Sequence, residues 1–176
     1  MFLLDSNDPL MVQTVSSILQ QKEIVHTLDQ KKKYFFKIAI IKNPKHIELR
    51  GFSKILKLEI PTSINSLIKK IRNLFSDFTL EINGAKFYPL KQSLVYKNEE
   101  TNLGNIHFII FSQLLLYKDN GVDKTELYKE IWPQDKEFQF NKLDTHLTNL
   151  KNHLKEKIKF DLSFSTRSGL IYIRAN

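Results

Sequence analysis

Asn141-Lys142-Leu143-Asp144-Thr145-His146-Leu147-Thr148-Asn149-Leu150-Lys151-Asn152-His153-Leu154-Lys155 is the run on which the fold turns. Leu143, Leu147, Leu150 and Leu154 recur at the spacing of one helical face. The other face carries Asn141, Thr145, Thr148, Asn149 and Asn152, with Lys142, Lys151 and Lys155 beside it. Short hydrogen-bonding side chains between lysines suit a helix laid in the major groove of duplex DNA. The amides and hydroxyls reach base edges there, and the ammonium groups reach phosphates. An amphipathic helix is more often an ordinary surface helix, so the neighbouring elements must decide.

Downstream, residues 160–174 read as strand, turn and strand, with Arg167 at the tip. A helix followed by a basic hairpin is the outline of a winged helix. Upstream, residues 78–82, 85–90 and 93–97 are short strand candidates, with Asn83-Gly84 as a hairpin turn. A helix over 107–118 places Phe108, Ile109, Phe111, Leu114, Leu115 and Leu116 in a core and stops at Asn120-Gly121. Asp123 with Glu126 has the form of a capping box for a second helix, which runs through Leu127, Tyr128 and Ile131 to Trp132 and ends at Pro133.

The first part has a different pattern. Phe2-Leu3-Leu4 is a strand, and Asp8-Pro9 starts a helix with Leu10, Val12, Val15, Ile18 and Leu19 on its apolar face. Residues 23–28, 35–41 and 55–60 are further strand candidates, the second stopped by Lys42-Asn43-Pro44. Pro61-Thr62-Ser63 opens a helix whose stripe is Ile64, Leu67, Ile68, Ile71, Leu74 and Phe75. The expected domain boundary is Ser76-Asp77, dividing the chain into 1–76 and 77–176.

Composition narrows the function. The 176 residues carry a net charge of +8, which favours a polyanionic partner, although much of the excess lies in the first half. Lys31-Lys32-Lys33 reads as a solvated charge run, with an electrostatic role toward DNA as the alternative. There is no cysteine, which excludes disulfides and thiolate metal sites and fits the cytoplasm. No run is long and apolar enough to span a membrane, and the first residues lack the basic start of a signal peptide. His146 and His153 are two turns apart, too far for one chelate, and neither a nucleophile elbow nor a Gly-rich phosphate loop is present. No enzymatic activity, metal or cofactor is expected.

The segment from about residue 78 resembles the DNA-binding domain of OmpR/PhoB-type response regulators. That family's third helix typically reads Thr-Val-Asp-Val-His-Ile-x-x-Leu-Arg-x-Lys-Leu, and Lys142 to Leu154 keeps its Asp-x-His-(apolar)-x-x-Leu-(basic)-x-x-Leu core in order. Ile131-Trp132-Pro133 matches the family's Val-Trp-Gly, and Ser165 to Tyr172 echoes its wing, with a turn expected to be one residue longer. The resemblance implies an α+β fold: a C-terminal winged helix-turn-helix with an N-terminal antiparallel sheet, preceded by a small α/β receiver-like domain. It implies DNA contacts from Asn141, Lys142, Thr145, Thr148, Asn149, Lys151, Asn152, Lys155, Arg167 and Tyr172. It also implies an RNA polymerase contact through Gln134, Asp135, Lys136 and Glu137 in the loop before the third helix.

Residues 1–76 resemble a shortened receiver. Phe2-Leu3-Leu4-Asp5 matches its first strand and acidic pair, and 38–44 its third strand. A receiver needs clustered carboxylates for Mg²⁺ and an aspartate as phosphoryl acceptor. Here Ser6-Asn7 follow Asp5, and Lys42-Asn43 stand near the acceptor position. A lysine there repels Mg²⁺ and forms no acyl phosphate. The expectation is a homodimeric transcription regulator acting without phosphorylation, an atypical member of the two-component system proteins that binds double-stranded DNA. Ile64, Leu67, Ile68, Ile71 and Arg72 are the expected dimer contacts. The alternative is a protein-interaction adaptor that has kept the winged-helix fold and lost sequence-specific binding.

Overall fold

The structure, a computed structural model, describes every residue except Met1, Glu23, Phe52, Ser53, Ser76 and Asn176. Of Lys54, Leu74, Phe75 and Ala175 it describes the main chain only, so the expected stripe positions Leu74 and Phe75 lie outside the described side chains. The fold is α+β, in two compact units, Met1–Phe78 and Thr79–Asn176. Ser76, at the expected boundary, is outside the described residues, and Phe78 belongs with the first unit, its ring edge-on to Phe36 at 4.7 Å.

The first unit runs β1 (Phe2–Ser6), α1 (Pro9–Gln21), β2 (His26–Thr27), β3 (Lys37–Lys42), β4 (His46–Gly51), β5 (Lys54–Glu59) and α2 (Ile64–Phe75). Asp8 caps α1 as expected, its carboxylate accepting from the Met11 N–H at 3.0 Å with Pro9 at the first helical position. The helix buries Val15, Ser16 and Leu19, whereas Leu10 is 74% exposed and does not belong to the apolar face assigned to it.

The sheet order is β2-β1-β3-β4-β5. Five-stranded doubly wound sheets share that order, with every strand parallel and helices on both faces. The first unit departs from that plan, and the small α/β layer expected from sequence is corrected. β1 runs parallel to β2 and β3, but β3, β4 and β5 form an antiparallel meander. The physical reason lies in the two faces of the sheet. Register places Leu4, Ile38, Ile40, Ile47 and Leu49 on one face, all buried. The other face is ionic. Lys37 pairs with Asp5 at 2.6 Å, and Glu48 takes Arg50 at 2.6 Å, His46 at 3.0 Å and Lys57 at 3.6 Å. The Arg50 guanidinium, with His46, holds the Glu48 carboxyl down to about 2. A helix laid on that face would bury these charges at several kcal/mol per ion. α1 and α2 instead pack against each other.

α2 buries Leu67, Ile68 and Ile71, exposed by 1%, 2% and 0%. Their assignment as dimer contacts is therefore corrected. They fill the unit's own core, and of that set only Ile64 and Arg72 keep exposure.

The second unit begins with an antiparallel sheet of β6 (Leu80–Ile82), β7 (Ala85–Tyr88), β8 (Ser93–Tyr96) and β9 (Glu99–Asn102). Asn83-Gly84 makes the expected tight turn, with φ of 46° and 77°. Three helices follow: α3 (Asn105–Leu116), α4 (Lys124–Ile131) and α5 (Phe140–Ile158). The two-residue strand β10 (Val122–Asp123) between α3 and α4 joins the edge of a hairpin formed by β11 (Leu162–Arg167) and β12 (Leu170–Ala175), in the order β10-β12-β11. The hairpin closes on Ser168-Gly169 alone, both at positive φ. Asp123 caps α4 by accepting from the Thr125 and Glu126 N–H groups at 2.9 Å, but the reciprocal half of the box does not form, because Glu126 pairs with Lys129 at 3.1 Å.

The core of this unit is Phe87 against Phe108 and Phe111, at centroid distances of 5.7 and 5.1 Å, with the leucines of α5 closing it. Among the described residues no helix is long and apolar enough to cross a membrane.

Gly121 links α3 to β10 at φ +75°, and a Cβ there would meet the Tyr172 ring at 2.8 Å and Leu170 at 3.1 Å. Gly121→Ala should destabilise the second unit by about 2–4 kcal/mol, combining left-handed strain with overpacking. Urea unfolding followed by the fluorescence of Trp132, the only tryptophan, checks this. The loss should shrink in a Tyr172→Ala background, where the backbone strain and the Leu170 contact remain.

Candidate nucleic-acid interface

The helix at issue is α5, and its apolar stripe fixes what it shows to solvent. Leu143, Leu147, Leu150, Leu154 and Ile158 are buried against α3, α4, β9 and β11. Removing one such leucine typically costs about 2–5 kcal/mol, so the helix cannot rotate about its axis. Asn141, Thr145, Thr148, Asn149, Asn152 and Lys155 are consequently exposed, and Lys151 is half-exposed. The hydroxyls of Thr145 and Thr148 donate to the carbonyls of Asn141 and Asp144 at 2.8 and 2.9 Å, leaving their oxygens free to accept. The side-chain amides of Asn141, Asn149 and Asn152 make no hydrogen bond among the described residues, so both donor and acceptor are on offer.

Two flanks hold the helix. On one, Asp144 pairs with Lys124 of α4 at 2.8 Å. On the other, His153 Nε2 lies 2.9 Å from Thr101 Oγ1 and 3.2 Å from the Asn102 carbonyl of β9. Asp144, the acidic residue of the sequence motif, thus anchors the helix rather than projecting from it, and His153 does the same from the other flank. His107 of α3 stands between His146 and His153, with ring centroids 5.9 and 6.1 Å away, and the Trp132 ring is 5.5 Å from His146. Sequence spacing set His146 and His153 two turns apart. It could not show His107, which arrives from another element. Among the described residues no group of three His, Cys, Asp or Glu could hold a metal ion. Burial, then the neighbouring histidines, pushes His107 below its ordinary value, and burial with Lys142 does the same to His146.

Lys142 is a correction. Its ammonium is 3.1 Å from Asp135 and 4.1 Å from the centre of the Trp132 ring, turned toward its own loop and away from the exposed amides. Asp135 is engaged as well, accepting from the Tyr128 hydroxyl at 2.6 Å, which with Lys142 holds its carboxyl below the ordinary range. Of the loop residues assigned to polymerase, Gln134, Lys136 and Glu137 are exposed without an internal partner among the described residues, whereas Asp135 braces the loop. The same loop presents Phe138 and Phe140, 47% and 37% exposed, with parallel rings 5.8 Å apart.

In the hairpin, Arg167 is exposed beside the turn and has no ion pair among the described residues. Tyr172 is half-buried with its ring over Gly121, so it packs the hairpin onto β10. Lys118, Ser165, Arg167, Tyr172, Ile173 and Arg174 line an open cavity of about 310 Å³. Lys118, after α3, and Arg174 therefore join Arg167 in one cationic surface, a grouping invisible in the sequence because three elements supply it.

In the first unit, the ends of β1 and β3 are cross-linked. The Lys42 N–H donates to Asn7 Oδ1 at 2.8 Å, Asn7 Nδ2 donates to the Lys42 carbonyl at 3.1 Å, and Lys42 Nζ meets Asp8 at 2.7 Å. The Lys42 ammonium depresses Asp8, while Asp5 is taken by Lys37. The pairing of Asn7 and Asp8 with Lys42 is not legible in the sequence, because that partner lies 34 or 35 positions away.

No family model matches the chain, and no curated protein does. Among solved structures, a member of a family of redox sensors in the streptococci that evolved from two-component response regulators aligns over 99% of this chain and 67% of its own, at 14% identity and a TM-score of 0.45. A mutant of RitR aligns over 99% of this chain and 66% of its own, at 12% identity and a TM-score of 0.43. This chain spans about two thirds of the length of either. At TM-scores under 0.5, neither likeness carries those proteins' fold or activity to this chain.

The half-buried histidines give a pH dependence with a definite sign. His107 and His146 titrate below the ordinary 6.5, so the unfolded chain takes up protons first. Stability is complete above about 6.5 and is lost as the pH falls through that value toward the folded-state values. Thermal melts read by Trp132 fluorescence should give a lower Tm at about pH 5.5 than at about pH 7.5. His107→Gln should flatten the difference. A wild-type Tm that is level or rises on acidification would contradict the assignment.

Proposed function

We propose that the chain is an atypical response regulator that acts as a sequence-specific DNA-binding transcription regulator without phosphorylation. Its second unit would be a winged helix, with α3, α4 and α5 as the three helices, α5 in the major groove and the β11–β12 hairpin as the wing. The observation that carries the proposal is the exposed face of α5: Asn141, Thr145, Asn149 and Asn152 opposite a fully buried leucine stripe, with Lys151 and Lys155 beside them. Carboxamides of this kind read adenine edges in the major groove, and lysines bind phosphates. Arg167, with Lys118 and Arg174, supplies a second cationic contact for the backbone or the minor groove.

The first unit supports independence from phosphorylation. A metal-dependent phosphoryl acceptor needs free carboxylates together at the strand ends. Asp5 and Asp8 are instead neutralised by Lys37 and Lys42. A thiol-based redox role has no residue to carry it in this chain, which lacks cysteine. A homodimer belongs to the same proposal but cannot use Leu67, Ile68 or Ile71. RNA polymerase, if engaged through the loop before α5, would meet Gln134, Lys136 and Glu137.

One observation favours the adaptor reading: the stacked, exposed rings of Phe138 and Phe140 resemble a protein-contact patch more than a DNA contact. Recovery of genomic DNA by the purified protein separates the two. Discrete peaks sharing a motif support DNA reading, and uniform or absent recovery supports the adaptor.

At a cognate site, Asn149→Ala should cost about 1–3 kcal/mol and relax preference at one position. Lys155→Ala should weaken all duplexes alike and lower the salt slope by about one unit. An unchanged ratio of cognate to random binding in Asn149→Ala would remove that residue from base readout.

Incubation with acetyl phosphate and Mg²⁺ should add no mass to the protein and leave DNA binding unaltered. An intact-mass gain of one phosphoryl group would overturn the phosphorylation-independent part of the proposal.

A further inference from the structure

The α1–α2 side of the first unit holds a cavity of about 450 Å³ lined by Lys22, Asn65, Ile68, Lys69, Arg72 and Asn73. On α2 the positions 65, 69, 72 and 73 fall at i, i+4, i+7 and i+8, so one helical stripe supplies four polar side chains. Lys22 faces them from the C-cap of α1, and Ile68, 2% exposed, forms an apolar floor. Among the described residues the cavity wall has three cations and no carboxylate.

That charge is unbalanced. On the sheet and at its strand ends, Lys37, Lys42, Arg50 and Lys57 are matched to carboxylates. Lys22, Lys69 and Arg72 have no ion-pair partner among the described residues, and Lys69 and Arg72 repel each other across one helical turn. Concave, multiply cationic walls raise the local concentration of anions.

We propose that this cavity binds a small, multiply charged anion of the phosphate class. The Arg72 guanidinium presents two parallel N–H donors that match two phosphate oxygens, and the two ammonium groups balance the remaining charge. The Asn65 carboxamide can donate to a phosphate oxygen or accept from a hydroxyl of the attached organic part. The volume lies within the range of small-molecule pockets, roughly 300–1,000 Å³, and exceeds what a lone phosphate fills. A ligand here would give the first unit an input that does not pass through the strand-end aspartates, both already paired.

Isothermal titration of the full chain with inorganic pyrophosphate at low salt tests the site. The expected result is one saturable event that weakens at least tenfold in Lys69→Ala and in Arg72→Ala, with Arg72→Lys recovering part of the loss. Lys69 and Arg72 are exposed, so thermal melts of these variants should match the parent. Lys86→Ala, in the second unit, removes the same charge far along the chain and should bind as the parent does. Absent or non-saturable binding, or equal weakening in Lys86→Ala, would overturn the proposal. A parallel titration with duplex DNA separates the two phosphate sources. If Lys69→Ala and Arg72→Ala weaken duplex binding while pyrophosphate gives no saturable event, the cavity contacts DNA and the small-ligand proposal fails. Base readout by α5 is judged on Asn149 alone, so either idea can fail without the other.

Discussion

The burial of one leucine stripe governs the second unit. Leu143, Leu147, Leu150, Leu154 and Ile158 lie nearly on a line along α5 and are shared among α3, α4, β9 and β11. Packing at crystal-like density leaves no freedom to roll the helix. The direction in which Asn149 or Asn152 points is therefore a consequence of what the leucines touch. The flanking contacts, Asp144 with Lys124 and His153 with Thr101 and Asn102, set the helix against its neighbours and add specificity rather than much stability, since they are partly solvated. The backbone that carries this polar surface therefore has little freedom left to lose when a partner binds.

In the first unit electrostatics plays the corresponding part. A sheet with Glu48, Arg50, His46 and Lys57 on one face and Ile38, Ile40, Ile47 and Leu49 on the other can be covered on one side only. That asymmetry is compatible with the antiparallel meander of β3, β4 and β5, because antiparallel strands tolerate one solvated face whereas parallel ones rarely do. The strand order is nonetheless that of a doubly wound sheet, so order and strand direction part company in this unit. The ion pairs of Glu48 and Asp5 keep the uncovered face polar. The same chemistry reaches the strand ends, where Lys42 sits against Asp8 and closes the place where free carboxylates would be needed.

Local chemistry was legible in the sequence wherever it is local. The Asp8-Pro9 start, the Asp123 cap, the Asn83-Gly84 turn and the leucine face of α5 all depend on residues within a few positions, and each is found where its pattern placed it, whereas the helix expected to run to Lys118 before Asn120-Gly121 ends at Leu116. Besides the two-residue β10, two strands escape the sequence pattern, for opposite reasons. β9 is Glu99-Glu100-Thr101-Asn102 and carries no apolar signal, so only pairing with β8 makes it a strand. β4 alternates Ile47, Glu48, Leu49, Arg50 in plain view, but a receiver-like plan left no antiparallel strand at that point.

What the tertiary structure alone decided is which side chains are free. Lys142 looks like Lys151 and Lys155 in the sequence, yet Asp135 and Trp132 withdraw it. Leu67, Ile68 and Ile71 look available to a second subunit, yet they fill their own core. His107 joins His146 and His153, Lys118 and Arg174 join Arg167, and Lys22 joins Lys69 and Arg72, each across a long stretch of chain. Periodicity and capping are properties of neighbours along the chain, and the sequence states them directly. The partner of a charge or a ring is a neighbour in space, and that is settled only when the buried stripes have chosen how the elements lie against one another.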